Sequence, residues 1–160
     1  MPEPTSRLQQ ELRQRKPFPS VAQEASVALA RTTDRVRRCI EATLLQEGIT
    51  HTQYNVLRIL RGAGEEGIPT LDVAERMVEQ APGITRLMDR LEAKGLVRRE
   101  RCAEDRRQVL CWATPRGLEL LATLDEPVDA AGQRAMAPLS EAEKRELIRL
   151  LAAIRAGLEE

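Results

Sequence analysis

The sequence predicts a mainly helical α+β fold in which two short helices, joined by a tight turn, run directly into one β-hairpin, with longer helices on either side. Three observations predict it. Apolar residues recur at helical spacing through most of the chain, and several of these stripes open on a helix-capping signature. Paired β-like runs occur in one place, between residues 96 and 113, bounded by polar turn residues. Aromatic residues are nearly absent, with Phe18, Tyr54 and Trp112 the whole set. The core must then be built from Leu, Ile, Val, Ala and Met, which suits helix packing better than a β-sandwich.

Taken in order, residues 1–19 read as an N-terminal arm carrying Arg7, Arg13, Arg15 and Lys16, with a short helix after Thr5 and a break at Pro17 and Pro19. Ser20 and Gln23 form a capping box that opens a long helix, striped by Val21, Ala25, Ala28, Leu29, Thr32, Val36, Ile40 and Leu44 and stopped at Gly48. Thr50 with Gln53 starts a second helix, with Val56, Leu57 and Leu60 inward, and the Gly62, Gly64, Gly67 cluster ends it. After an extended Ile68-Pro69, Thr70 is expected to cap a third helix carrying Val73, Ala74, Met77 and Val78. A turn at 79–81 leads to Pro82, expected in the first turn of a fourth helix, where its missing N–H costs nothing. That helix buries Ile84, Leu87, Met88 and Leu91 and stops at Gly95. The runs 96–102 and 108–113 flank Ala103-Glu104-Asp105-Arg106-Arg107, which makes a hairpin. Thr114-Pro115 starts a fifth helix, expected to kink at Pro127, and Ser140 with Glu143 caps the last, striped by Leu147, Leu150, Leu151, Ile154 and Leu158. Helix, turn, helix and basic hairpin in immediate succession make a winged helix-turn-helix.

Composition excludes several functions. The 25 basic and 25 acidic residues cancel, but their distribution is uneven. Residues 86–107 hold Arg86, Arg90, Lys94, Arg98, Arg99, Arg101, Arg106 and Arg107, whereas the last third is acidic, with Glu119, Asp125, Glu126, Asp129, Glu141, Glu143, Glu146, Glu159 and Glu160. A local basic face, not the average, sets DNA affinity. His51 is the one histidine, and Cys39, Cys102 and Cys111 are odd in number and far apart, so neither a zinc site nor a disulfide framework is expected. No phosphate-binding glycine motif or paired nucleophile stands out, so an enzyme is not expected, nor any cofactor. The sequence has neither an apolar run of about 18 residues nor a signal-peptide core, which points to the cytoplasm and to no membrane partner.

The fourth helix carries a polar face made of Gly83, Thr85, Arg86, Asp89 and Arg90. Short polar groups and arginines there suit a major groove, since Arg can bond guanine bidentately and Gly83 lets the backbone approach the duplex. A solvated helix face would look the same, and the hairpin is what tips the reading. Its tip places Asp105 two residues before Arg107, beside Arg106, with Arg98, Arg99 and Arg101 on the feeding strand. An exposed guanidinium suits the minor groove, and a carboxylate nearby could hold it by a bidentate pair. If the turn centres on 105–106, Cys102 faces about Val109, leaving Cys111 diagonal and too far for an unstrained disulfide. Trp112 reads as a packing residue and Cys39 as a semi-buried thiol.

Residues 85–95 (TRLMDRLEAKG), 96–99 (LVRR), 105–107 (DRR) and 114–117 (TPRG), with 49–57 (ITHTQYNVL) upstream, resemble in order and spacing the multiple antibiotic resistance regulator (MarR) family. The likeness covers roughly residues 20–158. It implies a homodimer in which 20–48 and 115–160 are dimerisation helices around a DNA-binding lobe at 49–114. It also implies a pseudo-palindromic operator in double-stranded DNA, repression from that operator with release when a small aromatic acid or phenol binds, and a ligand pocket near the start of the second helix, where His51 and Tyr54 fall. Peroxide sensors of the family carry a cysteine near the start of the first helix, where this chain has Ser20 and Ser26. Two alternatives stay open: cysteine-based redox regulation on the same fold, and a winged helix used for protein contact without DNA.

Overall fold

The computed structural model describes residues 6–80 and 82–158. The expected roles of Thr5, Ala81, Glu159 and Glu160 lie outside the described residues. The chain divides into two compact units, one ending at Arg38 and one beginning at Cys39.

In the first unit, α1 (Arg7–Glu11) is a short helix whose Gln9 N–H donates to the Ser6 hydroxyl at 3.1 Å. Helix α2 (Val21–Gln46) begins here, with the Gln23 N–H donating to Ser20 Oγ at 3.2 Å. Glu11 pairs with Arg35 at 3.0 Å and Asp34 with Arg38 at 3.0 Å. Val21 and Leu29 of the apolar stripe remain exposed.

In the second unit α2 ends ahead of Gly48, whose φ of +69° is the expected left-handed stop. Helix α3 (His51–Ala63) opens on a reciprocal box: Thr50 Oγ1 accepts the Gln53 N–H, and Gln53 Oε1 accepts the Thr50 N–H, both at 3.2 Å. A 3₁₀ turn (Gly64–Glu66), β1 (Ile68–Pro69), α4 (Thr70–Glu75), α5 (Ile84–Ala93), β2 (Val97–Arg101) and β3 (Val109–Ala113) follow, then α6 (Pro115–Met136) and α7 (Glu141–Ala156). The sheet is antiparallel in the order β1-β3-β2. Leu57 and Leu60 of α3, Val73 of α4, Met88 and Leu91 of α5, Val97 and Cys111 of the sheet, and Leu121 and Leu124 of α6 are buried together in one core. Thr114 caps α6 through the Gly117 N–H at 3.1 Å, with Pro115 in its first turn, and Ser140 and Glu143 form the box of α7.

Several expectations are corrected. Thr70 does not cap α4; Pro69 holds the N-cap position, and the Thr70 hydroxyl instead donates to the Val109 carbonyl at 3.1 Å, tying α4 to β3. Pro82 precedes α5, because Gly83 takes the N-cap in the left-handed region. Helix α4 stops at Glu75, so Val78 is exposed and does not face the core. Helix α6 runs through Pro127, which holds an exposed position. The strand register is one residue off the expected one, with Arg101 opposite Val109 and Arg99 opposite Cys111. Strand alternation therefore puts Cys102 and Cys111 on opposite faces, which rules out their pairing more firmly.

Helix α7 buries none of its residues within the chain; Ile148, Leu150, Ile154 and Leu158 are exposed.

Candidate nucleic-acid interface

Met88 and Leu91 anchor α5 on the core, and this turns Thr85, Arg86, Asp89 and Arg90 to the exposed side. Gly83 reaches φ +86° and ψ 38° as the N-cap and supplies no capping side chain. An open cleft beside this end is lined by Thr50, Thr52, Pro82, Gly83, Arg86 and Arg90, among others. Arg86 and Arg90 enter no ion pair among the described residues.

The wing is built by its own turn. The Asp105 carbonyl accepts the Gln108 N–H at 2.9 Å, and Asp105 Oδ1 accepts the Arg107 N–H at 3.0 Å. The expected carboxylate–guanidinium pair is therefore replaced by an Asx-type backbone bond: Asp105 shapes the turn, and the Arg107 guanidinium is left outward. Arg101, Arg106 and Arg107 are exposed. Arg107 shares a small cleft with Thr85, Leu71 and Ile84, so the wing turn and the start of α5 border one surface.

Two wing arginines are already engaged. The Arg98 guanidinium lies 4.0 Å from the centroid of the Trp112 ring and also bonds Glu100. Trp112 Nε1 in turn donates to the Glu65 carbonyl at 2.9 Å. Gly67, at φ +69°, lies so close that an added Cβ would stand 2.3 Å from the indole. The packing role expected for Trp112 is thus to fasten the base of the wing to the turn after α3. Arg99 is bonded to Asp89 at 2.6 Å and to Glu92 at 2.6 and 3.1 Å, so two of the groups expected to face DNA, Arg99 and Asp89, are bonded to each other. The Glu92 and Asp89 bonds hold this guanidinium firmly in its charged form.

The other expected site divides. Tyr54 is buried and lines an open cavity of about 520 Å³ with Ile40, Arg58, Val128 and Met136. Burial raises its phenol above the ordinary value. Arg61, on the same wall, holds Asp125 bidentately at 2.8 and 2.9 Å, and that hydrogen bonding keeps the Asp125 carboxyl below the usual range. The Arg58 guanidinium lies 5.9 Å from the Tyr54 ring centroid. His51 does not line this cavity; as the first residue of α3 it is half-buried a turn away. Sequence reasoning missed Arg58 and Arg61, although their spacing of four and seven residues from Tyr54 puts them on its helix face.

Cys111 is buried beside the Thr70 hydroxyl at 3.2 Å, and burial pushes its thiol up, away from the reactive thiolate. Among the described residues no group of three His, Cys, Asp or Glu side chains could hold a metal ion, and no helix is long and apolar enough to cross a membrane.

Two helices joined by a turn, the second anchored on the core and followed by a sheet whose turn borders the same surface, define a winged helix-turn-helix protein. A family model, the MarR family, matches residues 49–109, the segment that contains this surface. The transcriptional regulator HosA of Escherichia coli O127:H6 is 33% identical over 99 residues, 62% of this chain and 71% of HosA. A MarR transcription factor from Planctomyces limnophilus, known as a crystal structure, is 44% identical, with a TM-score of 0.66 over 85% of this chain and 98% of that one. The chain belongs to the MarR family. Bordetella bronchiseptica BpsR, whose DNA binding is regulated by 6-hydroxynicotinic acid, is 25% identical, with a TM-score of 0.76 over 88% of this chain and 98% of BpsR. The chain spans about three fifths of two further curated regulators, 62% of one from Thauera aromatica and 60% of one from Methylorubrum extorquens.

Proposed function

We propose that the protein is a DNA-binding transcriptional regulator that acts as a homodimer on a pseudo-palindromic operator, represses from it, and lets go when a small aromatic acid or phenol enters the Tyr54 cavity. The observation that carries the DNA reading is one surface holding the exposed Thr85, Arg86 and Arg90 of a core-anchored helix beside the exposed Arg106 and Arg107 of the wing turn. Gly83 brings the helix end close to the backbone, the α5 face reads base edges in the major groove, and Arg107 with Arg106 reaches the adjacent minor groove.

The dimer reading is supported by α7, which has no fully buried residue within the chain yet exposes Ile148, Leu150, Ile154 and Leu158. Apolar surface of that extent calls for a second copy. In this reading residues 20–48 and 115–160 form the dimerisation region, 49–114 the DNA-binding lobe, and 1–19 an arm. Two lobes must hold a fixed separation to reach successive major grooves, so a ligand that favours another separation weakens binding. An aromatic acid suits the cavity: Val128 and Met136 give it apolar wall, and Arg58 a cation beside the Tyr54 ring. The effect of 6-hydroxynicotinic acid on BpsR supports the same ligand class. A cytoplasmic location fits a DNA partner.

Sedimentation and a salt titration test this reading together. The protein should sediment as a dimer at micromolar concentration. Its affinity for duplex DNA should fall about 10²-fold between 50 and 200 mM salt for as few as about four phosphate contacts. A monodisperse monomer contradicts the dimer. A wing-reversed variant that behaves like wild type, with no salt-dependent DNA binding by either, favours a protein-contact module instead.

A further inference from the structure

The pairing of Arg99 with Asp89 and Glu92 has a consequence for the DNA surface, and it rests on the DNA-binding reading above. Arg99 sits on β2 and both carboxylates sit on α5, so the contact spans the wing and the groove-facing helix. The Arg99 side chain is only 19% exposed, against 55% for Asp89 and 41% for Glu92, so the guanidinium lies behind the acids and not in front of them. Behind Arg99 the sheet is held in turn. Its register partner Cys111 is buried against the Thr70 hydroxyl, and that hydroxyl also bonds Val109. The clamp therefore connects α5, β2, β3 and α4 in one line.

Asp89 also stands three residues from Arg86 and four from Thr85, hence on the same face of α5 as the groups that would meet the duplex. A free carboxylate at that place would repel phosphate. We propose that Arg99 is a positioning residue of the DNA surface and not itself a DNA contact: it sets the pitch of the wing against the groove-facing helix and neutralises Asp89 where the helix meets DNA. A planar, two-sided guanidinium can satisfy both acids at once, which a lysine ammonium does with less geometric control.

The test uses the full-length protein, a duplex selected from random DNA by the wild type, and a scrambled duplex of the same composition, each at two salt concentrations. The variants are Arg99→Ala, Arg99→Lys, Asp89→Asn/Glu92→Gln, and the triple Arg99→Ala/Asp89→Asn/Glu92→Gln, with thermal melts at one protein concentration. Arg99→Ala should weaken binding to the selected duplex about tenfold or more, with the loss shrinking at the higher salt concentration, where the unmasked carboxylates are screened. The triple variant should bind several-fold better than Arg99→Ala, and Arg99→Lys should fall between Arg99→Ala and wild type. A role in stability alone predicts lowered melting with no rescue when the acids are removed, and that result overturns the proposal. So does a flattened salt slope without rescue, which is the mark of a direct phosphate contact, and so does wild-type affinity in Arg99→Ala. Should Arg99→Ala melt below the assay temperature, comparison of Arg99→Lys with the Asp89→Asn/Glu92→Gln protein still decides between masking and contact. A wild type that selects no duplex defeats the DNA reading itself, an outcome distinct from any difference among the variants.

Discussion

Gly117, in the first turn of α6, offers the most direct mutational check on how the winged lobe is joined to the C-terminal helices. A methyl group added there would place its carbon 2.3 Å from the Leu96 carbonyl oxygen and 3.4 Å from Leu57 Cδ2. The oxygen cannot swing aside as a side chain could. It accepts the Thr114 N–H at 3.0 Å, while the Thr114 hydroxyl donates to the Gly95 carbonyl at 2.7 Å and accepts the Gly117 N–H at 3.1 Å. Relief requires α6 and the start of β2 to part by about 1 Å, in a core that packs as densely as an organic crystal. Overpacking of this kind costs about 1–3 kcal/mol, and replacing a helical glycine returns only about 0.5–1 kcal/mol. From the middle of both ranges the net loss should be about 1 kcal/mol, with about 2.5 kcal/mol the upper end, and since each kcal/mol moves the melting point of a chain this size by about 2–4 °C, Gly117→Ala should melt about 2–4 °C lower, with about 10 °C the upper end. Circular dichroism melts at one protein concentration read this directly, concentration being fixed because dimerisation adds to stability. An unchanged or higher Tm would refute the close approach and the reasoning built on it.

Arg107→Ala should weaken binding to operator and scrambled duplex alike and flatten the salt dependence, since one cationic contact per subunit is lost. Asp105→Asn should retain most binding, because an amide oxygen can still accept the Arg107 N–H, whereas Asp105→Ala should loosen the turn; equal loss in both would restore an electrostatic role for the carboxylate. Arg86→Ala or Arg90→Ala should cost about 1–3 kcal/mol on the operator and little on scrambled DNA, read from equilibrium titrations of both duplexes. Arg58→Ala should blunt the release of DNA by salicylate-type acids while His51→Ala leaves it intact, read by titrating each variant's DNA complex with the acid. Because Arg61 lowers the Asp125 carboxyl, their pair stabilises the fold above the unfolded-state value of about 4 and is lost as pH falls through the depressed one. Both side chains are over a third exposed, so the effect is about a few tenths of a kcal/mol, and Asp125→Asn should remove it from urea midpoints compared at neutral and acid pH.

What the sequence made legible was local. The boxes at Thr50 and Ser140, the Thr114 cap and the left-handed stops at Gly48 and Gly95 each depend on residues within a few positions, and the structure has them all. The hairpin was readable for the same reason, though its register slipped by one residue because the turn is fixed by the Asp105 backbone bond to Gln108 and not by composition. Capping preference points to Thr70 and Pro82 as helix starts, but each has a tertiary or turn role that overrides it. The site residues were legible as types and not as partners. Nothing in the spacing shows that Asp89 and Arg99, ten residues apart on different elements, spend their charges on each other. The same holds for Arg61 with Asp125, 64 residues apart, and for Gly67 against Trp112.

The central claim is that two copies of the α5 and wing surface read one duplex. Selection of bound sequences from random duplex DNA by the full-length protein tests it most directly. The account predicts enrichment of a pseudo-palindrome whose half-site centres lie about one helical turn, roughly 10 bp, apart, with A·T-rich positions where Arg107 enters the minor groove. Recovery of sequences with no two-fold repeat, or no enrichment over the starting pool, would contradict it.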